Sequence, residues 1–501
     1  MADVLLTHSY HLLYDPKQVR KMQPYPPLGT LYAASLLRSR GFSVAVFDTM
    51  LQDPVAFPEF LRRHHPKLVV IYEDDFNFLS KMCLTRMRDV GWSMTDAARS
   101  FGATVIVHGS DASDHTEEYL MQGVNYVLLG EAELTLAELC QALLQSGEAN
   151  SVAGLVSLDI VRNHLPRSLR VPKPTPWHTL PAPARDLIDL EPYRQAWKKG
   201  HGYFSLNLVA SRGCPYRCNW CAKPISGDRF HVRPPDAVAD EIVHLKNTYG
   251  AEHLWFGDDI FALDRRWTMQ FACEIKKRNC LLPFKVQARA DLMGPETVDA
   301  LKRAGCVEVW MGVESGSQKV LDAMDKGLLV EEVVTATARL RAAGIRVCYF
   351  LQFGYPGEAW TEIQQTVSLV RMTRPDDIGV SVSYPLPDTR FYAKVQAELG
   401  RKRNWIDSDD LCVMFKAAYT NEFYRAVRNA LHAEVDSWHT IPSSEGECVR
   451  VDELWRKVAE LEPLTRNADP TTFWLDNSEP LIARRSQYVS LQHLSHAVRD
   501  R

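Results

Sequence analysis

The sequence predicts an α/β protein made of a doubly wound parallel sheet, a partial βα barrel and a helical C-terminal domain. Three observations lead there. Short apolar strands alternate with helical stretches over residues 1–150, the pattern of a parallel sheet covered on both faces. After a proline-rich break the alternation resumes from Leu206 to about Tyr392. The last hundred or so residues repeat apolar side chains at helical spacing, as in Phe423, Val427, Leu431 and Val435.

In the first segment the expected strands are Val4 to Thr7, Phe42 to Phe47, Leu68 to Tyr72, Thr104 to Val107 and Tyr126 to Leu129. Pro27-Leu28-Gly29 opens a helix that stops at Gly41, and Gly130-Glu131-Ala132-Glu133 opens another running through Leu144. Sheets of this kind take ligands at the carboxyl ends of their strands. Seven prolines between Pro166 and Pro192 mark residues 151–198 as a linker. In residues 199–395 six strands are expected: Ser205–Ala210, His253–Phe256, Phe284–Ala288, Val307–Gly312, Arg346–Phe350 and Ile378–Val382. Helices such as Ala237–Asn247 and Pro295–Ala304 lie between them, so an active site is expected at the strands' C-terminal ends. Residues 396–501 form the helical domain, with a second apolar stripe at Leu454, Val458 and Leu461. Its aromatic residues, Trp405, Tyr419, Phe423, Tyr424, Trp438, Trp455 and Trp474, are expected mainly in the core.

Hydrophobic residues make up 46% of the 501 and charged residues 24%, an ordinary globular balance. The net charge of −4 gives no general attraction to nucleic acid or an anionic membrane. No apolar run reaches the ~20 residues of a membrane span. The start of the chain, with Asp3 and no basic stretch, does not read as a signal peptide, so a cytoplasmic location is expected.

Of eleven cysteines, eight are scattered and read as small buried hydrophobes. The others stand in Ser211-Arg212-Gly213-Cys214-Pro215-Tyr216-Arg217-Cys218-Asn219-Trp220-Cys221, directly after an apolar strand. Thiolates are the usual ligands of iron–sulfur clusters. Three on one loop hold three irons and leave a fourth open to chelate an amino and a carboxylate group, which reductive cleavage of a sulfonium requires. The alternatives are three unrelated cysteines, or a zinc site completed by a residue such as His231, for which the C-x3-C-x2-C spacing is a poor fit.

This motif, with Trp220 before the last cysteine, resembles the signature of the radical S-adenosylmethionine (SAM) superfamily. Gly227 to Arg233, Gly257-Asp258-Asp259-Ile260-Phe261, Glu314-Ser315-Gly316-Ser317, Gly354-Tyr355-Pro356-Gly357-Glu358 and Pro385-Leu386-Pro387-Asp388-Thr389 extend the likeness. The N-terminal segment resembles the Rossmann-like cobalamin-binding domain often fused to the TIM-type radical SAM barrel. Pro26 to Tyr32, Gly130 to Glu133 and Leu180 to Asp186 carry that resemblance. The Asp-x-His-x-x-Gly string that supplies a lower imidazole to cobalt is absent from residues 1–150; the nearest polar run is His108 to His115.

The resemblance implies a 4Fe-4S cluster on Cys214, Cys218 and Cys221. It implies SAM contacts from Trp220, Arg289, Glu314, Ser315 and Gln352, with Tyr349 a lesser candidate. Cobalamin contacts would come from Leu28, Gly29, Thr30, Gly130 and Glu131. Asp258 and Asp259 would orient substrate or cap a helix. The implied activity is C-methylation of an unactivated carbon in a natural-product or cofactor precursor, with one SAM cleaved to a 5′-deoxyadenosyl radical and a second as methyl source. The partners implied are a small-molecule substrate and a reductant such as flavodoxin or ferredoxin. Two alternatives stay open: a non-methylating enzyme of the same architecture catalysing cyclisation, ring contraction or anaerobic oxidation, and a non-enzymatic cobalamin or cluster sensor. The catalytic acid or base is not identified by sequence.

Overall fold

A computed structural model describes residues 2–472 apart from 83, 147–148, 163–174, 224, 403 and 440–444. Cys83, Trp474 and part of the proline-rich stretch therefore lie outside the described residues. The chain divides into two compact units. The first is Met1–Cys214 with Lys223–Asp258 and Asn404–Asp410; the second is Pro215–Ala222, Asp259–Arg403 and Leu411–Arg501.

The first unit begins with β1 (Val4–Thr7), β2 (Val44–Phe47), β3 (Leu68–Tyr72), β4 (Thr104–His108), β5 (Tyr126–Leu128) and β6 (Leu155–Val156). They form one sheet in the order β2-β1-β3-β4-β5-β6. The first five run parallel, and β6 is antiparallel to β5. β1 and β3 are buried at every position because helices cover both faces of a parallel sheet, which is why they read as unbroken apolar runs. Two-residue β6 carries no periodicity and was not expected. The order reverses between β1 and β3, the crevice where doubly wound sheets take ligands. The helix Leu28–Ser39 is buried from Leu28 through Leu37.

The same unit holds β7 (Ser205–Leu208), β8 (Ser211–Arg212), β9 (His231–Val232) and β10 (His253–Phe256). β7 and β10 pair in parallel, and β8 and β9 form a small antiparallel ribbon. The described end of the proline-rich stretch is pinned down. Arg185 is buried, donating to Glu241 Oε1 at 3.1 Å and to the Asn207 carbonyl at 2.6 Å. Residues 404–410 join this unit through Trp405, whose carbonyl accepts the Thr85 amide at 2.7 Å, and Ser408, which donates to Asp15 at 2.8 Å.

The second unit holds β11 (Phe284–Ala288), β12 (Cys306–Glu314), β13 (Arg346–Phe353) and β14 (Asp377–Val382), all parallel and adjacent in that order. The helix Pro295–Ala304 falls on its expected residues, opened by proline in its first turn. The stripe Phe423, Val427, Leu431 and Val435 is buried along the helix Asn421–Ser437, as its four-residue spacing predicts. Among the described residues no helix is long and apolar enough to cross a membrane.

Glu358 gives this unit a pH dependence. It is completely buried, and one carboxylate oxygen accepts the Gly354 amide at 2.5 Å. Its other oxygen makes no hydrogen bond, and burial pushes its pKa up to about 8. A raised carboxyl favours the protonated fold. Its stability contribution is full below the unfolded value of 4.5 and is lost as pH rises through about 8. The loss approaches about 1.4 kcal/mol per pH unit inside that window. Glu358→Gln, which stays neutral, flattens the fall; thermal unfolding of both proteins from pH 5 to 8 checks this.

Candidate functional site

The cysteine loop leaves β8 and returns through β9. Its entrance is fixed by Asp258, which accepts from the Ala210 amide at 3.0 Å and the Ser211 hydroxyl at 2.5 Å. Asp258 thus braces backbone, where orienting substrate or capping a helix had been expected. Gly213 has φ +84, and a Cβ there would stand 2.2 Å from the Arg229 carbonyl oxygen. Gly213→Ala therefore shifts the first ligand and lowers iron content after reconstitution, measured as iron per chain with circular dichroism to show retained secondary structure.

Cys214, Cys218 and Cys221 are all half-buried. The middle of the loop hangs on Asn219. This residue is buried, donates to the carbonyl of Ala323 at 2.7 Å and to Asp325 at 3.1 Å, and accepts from Tyr355 at 2.9 Å. Its backbone bonds Met324 and Phe391. Sequence reasoning missed Asn219, because nothing in a spacing pattern says which intervening residue is saturated with hydrogen bonds. Trp220 rests on Val320, Ala323, Met324 and Tyr355, with its buried indole N–H unpartnered.

Two of the expected SAM residues, Arg289 and Glu314, carry buried charge. Arg289, at the end of β11, bonds Asp291 at 3.0 and 3.2 Å and lies 3.9 Å above the Tyr216 ring. Glu314 ends β12 with φ +63, a conformation a non-glycine residue adopts at a cost. It accepts from Lys326 Nζ at 2.8 Å, and both side chains are buried. Gly312 makes room: a Cβ there would come within 2.9 Å of both charged groups. Burial alone would lower the Lys326 pKa, but Glu314 and the Cys218 thiolate outweigh it and raise it. Lys326 was not foreseen, since it lies beyond the strand end in a turn with no periodicity.

Gln352 is 2% exposed and its carbonyl oxygen is unpartnered. Ser315 is directed inward, 3.1 Å from the Thr366 hydroxyl, and accepts the Ser317 amide as a turn brace. Tyr349 bonds Thr337 at 2.5 Å on the helix-covered face; three residues from Gln352 along a strand, it faces the other way. Among the described residues no three His, Cys, Asp or Glu side chains converge to grip one metal ion. A cubane asks for something else, one thiolate for each of three irons.

At the carboxyl ends of β3 to β5 a second polar group forms. Gly29 donates its amide to Asp74 at 2.9 Å, and the Thr30 hydroxyl donates to the Tyr72 carbonyl at 2.6 Å. Leu28 packs with Tyr32, Phe76, Trp177 and Val209. The Gly130 carbonyl accepts from His108 Nε2 at 2.9 Å, and Glu131 accepts the Thr175 amide at 3.1 Å. Burial lowers the His108 pKa to about 4, so the ring is neutral, with Nε2 protonated and Nδ1 bare. It stacks on Tyr72 at 4.1 Å. Asp75 Oδ2, His108 Nδ1, the Tyr72 hydroxyl and Glu131 Oε1 are buried without a hydrogen bond. Buried polar atoms without a hydrogen bond are rare in folded proteins, and this sheet edge gathers four, with Arg229 Nη2 3.8 Å from Glu131 Oε1 and His108 Nε2 3.8 Å from Asp75 Oδ2. The Glu73-Asp74-Asp75 run after β3 was a readable signal for it, since carboxylates at a strand end are otherwise costly to bury.

Residues 208–370 match the family model for the radical SAM superfamily. An uncharacterized methyltransferase of Pyrococcus horikoshii is 25% identical over 376 residues, 73% of this chain and 78% of that protein. An anaerobic magnesium-protoporphyrin IX monomethyl ester cyclase of Synechocystis sp. is 25% identical over 319 residues, 60% of this chain and 59% of its own. Among solved structures, the radical SAM methyltransferase TsrM of Kitasatospora setae, with cobalamin and a [4Fe-4S] cluster bound, superposes with TM-score 0.61 at 20% identity, covering 76% of this chain and 72% of that one. The cobalamin-dependent SAM radical enzyme OxsB, with aqua-cobalamin bound, gives TM-score 0.66 at 15% identity over 99% of this chain and 76% of its own. The chain carries a radical SAM domain at residues 208–370, with the 4Fe-4S cluster and SAM such a domain implies, in the fold shared by cobalamin-dependent radical SAM enzymes.

Proposed function

We propose that this protein is a cobalamin-dependent radical SAM methyltransferase that adds a methyl group to an unactivated carbon of a small natural-product or cofactor precursor. The observation that carries the reading is the pairing of a C-x3-C-x2-C loop with a set of unpartnered buried polar atoms at the ligand-binding edge of a doubly wound sheet. The orphan oxygens of Asp75 and Glu131 suit the amide N–H donors that rim cobalamin, and Leu28, Gly29, Thr30 and Gly130 stand at the same strand ends. Bound together, the cluster and SAM supply a hydrogen-abstracting radical and cobalamin supplies a methyl carrier.

The chain's own residues hold and orient. Cys214, Cys218 and Cys221 hold the irons. Lys326, already charged beside Cys218, pairs with the SAM carboxylate. Glu314 directs its second oxygen at ribose hydroxyls, and Gln352 offers its unpartnered carbonyl to a ligand donor. Trp220 and Ser315 shape the wall of this site, and Arg289 holds the loop through Tyr216. A flavodoxin or ferredoxin delivers the electron.

Anaerobic turnover with methyl-deuterated SAM tests the reading. Product carrying the labelled methyl supports it; deoxyadenosine without any methylated product counts against it. The likeness to a cyclase favours a second reading, ring formation without methyl transfer, which the same assay reveals as loss of hydrogens from substrate.

A further inference from the structure

Arg212 stands two residues before the first cysteine and is 3% exposed. Its guanidinium grips Glu133 on both oxygens, at 2.5 and 3.3 Å, in the first turn of the helix Glu133–Gln141. It lies 4.6 Å from the Trp177 ring centroid and 5.0 Å from that of Phe76, two rings that pack edge to face with each other. Asp75 and Tyr72 are within its electrostatic reach. One end of this pair therefore belongs to the edge where Tyr72, Asp75, His108 and Gly130 gather. The other end belongs to the strand that becomes the cysteine loop.

The link onward to Cys214 is stiff. Ser211 and Arg212 pair with Val232 and His231, Asp258 clamps Ala210 and Ser211, and the Arg229 carbonyl closes on Gly213. A shift of the guanidinium has no slack backbone to dissipate it before the thiolate. The two rings close one side of the guanidinium, and the fork to Glu133 holds its end. A buried ion pair of this kind is a weak source of stability, since hydrophobic residues of similar volume usually serve as well. Its retention at this junction asks for another reason.

We infer that Arg212 is a positioning residue: the Arg212–Glu133 pair couples occupancy of the sheet edge by cobalamin to occupancy of the cysteine loop by its cluster. The inference rests on the proposed cofactor reading. Coupling between two sites is reciprocal, so it is measured from either side.

The experiment titrates hydroxocobalamin by absorbance into the full chain, with and without a reconstituted cluster. In the wild type the two affinities are expected to differ by about fivefold or more. The double variant Arg212→Met with Glu133→Leu removes both charges together and is expected to fold, load iron and bind cobalamin, with the ratio reduced to one. Arg212→Lys, which keeps charge but loses the bidentate fork, is a second variant and should reduce the ratio in the same direction. A ratio unchanged in both variants, or a wild-type ratio of one, overturns the coupling while leaving the cofactor reading intact. Absence of any cobalamin binding by the wild type overturns that reading and the coupling with it.

Discussion

Cys218→Ala is expected to abolish SAM cleavage while the first unit still folds. In the proposed cluster each of the three cysteines ligates one iron, so losing one leaves an iron with no protein ligand. The cluster then fails to assemble or is lost on handling. Cys218 also lies within electrostatic reach of Lys326 and Arg289, two buried cations that keep Glu314 and Asp291 as partners without it. The sheet β1 to β6 lies wholly within Met1–Cys214 and owes nothing to that thiol. Iron analysis, the visible absorption of the reconstituted protein and deoxyadenosine formation check the result together. Full iron content with undiminished deoxyadenosine would remove Cys218 from the ligand set.

Lys326→Met carries the largest expected stability effect. Glu314 and Lys326 are both buried, and their bond at 2.8 Å satisfies each. Removing the lysine leaves a carboxylate stranded beside a strained backbone, at φ +63. Breaking a buried pair from one side costs about 3–5 kcal/mol. Pairing the substitution with Glu314→Gln removes the stranded charge and should recover most of that loss. It should not recover SAM affinity, expected to fall about 10- to 100-fold for a lost charge-assisted contact. Calorimetry of both variants reads the two effects apart: stability recovers with the pair removed, whereas affinity stays low in both because neither restores the ammonium. SAM binding at wild-type affinity in the double variant would move the carboxylate contact away from Lys326.

Parallel strands such as Leu68–Tyr72 were legible because they are apolar runs, and water leaves such a run few other places to go. Leu68–Tyr72 and His253–Phe256 fall on their expected residues. β12 and β13 run longer than expected, reaching Glu314 and Phe353. The added residues include Glu314 and Gln352, polar positions that break the apolar run, and pairing with a neighbour keeps them extended. The cysteine loop was legible for a different reason: thiolates at that spacing serve few other ends. Lys326, Asn219 and Arg212 were not, because each acts through a partner more than seventy residues away or across a turn.

The sequence alone determined the α/β class and the strand–helix alternation and proposed a ligand set for a cluster, since periodicity and ligand chemistry are local properties. Only the tertiary structure decided which charges are buried and with whom. Glu314 reads as a lone carboxylate at a strand end until Lys326 is found against it. Tyr72 and His108 are unremarkable letters until the fold gathers them with Asp75 and Glu131, with unmet hydrogen-bonding capacity, at one edge. Burial and pairing depend on contacts between distant segments, and a carboxylate's chemistry follows from those neighbours far more than from its own identity.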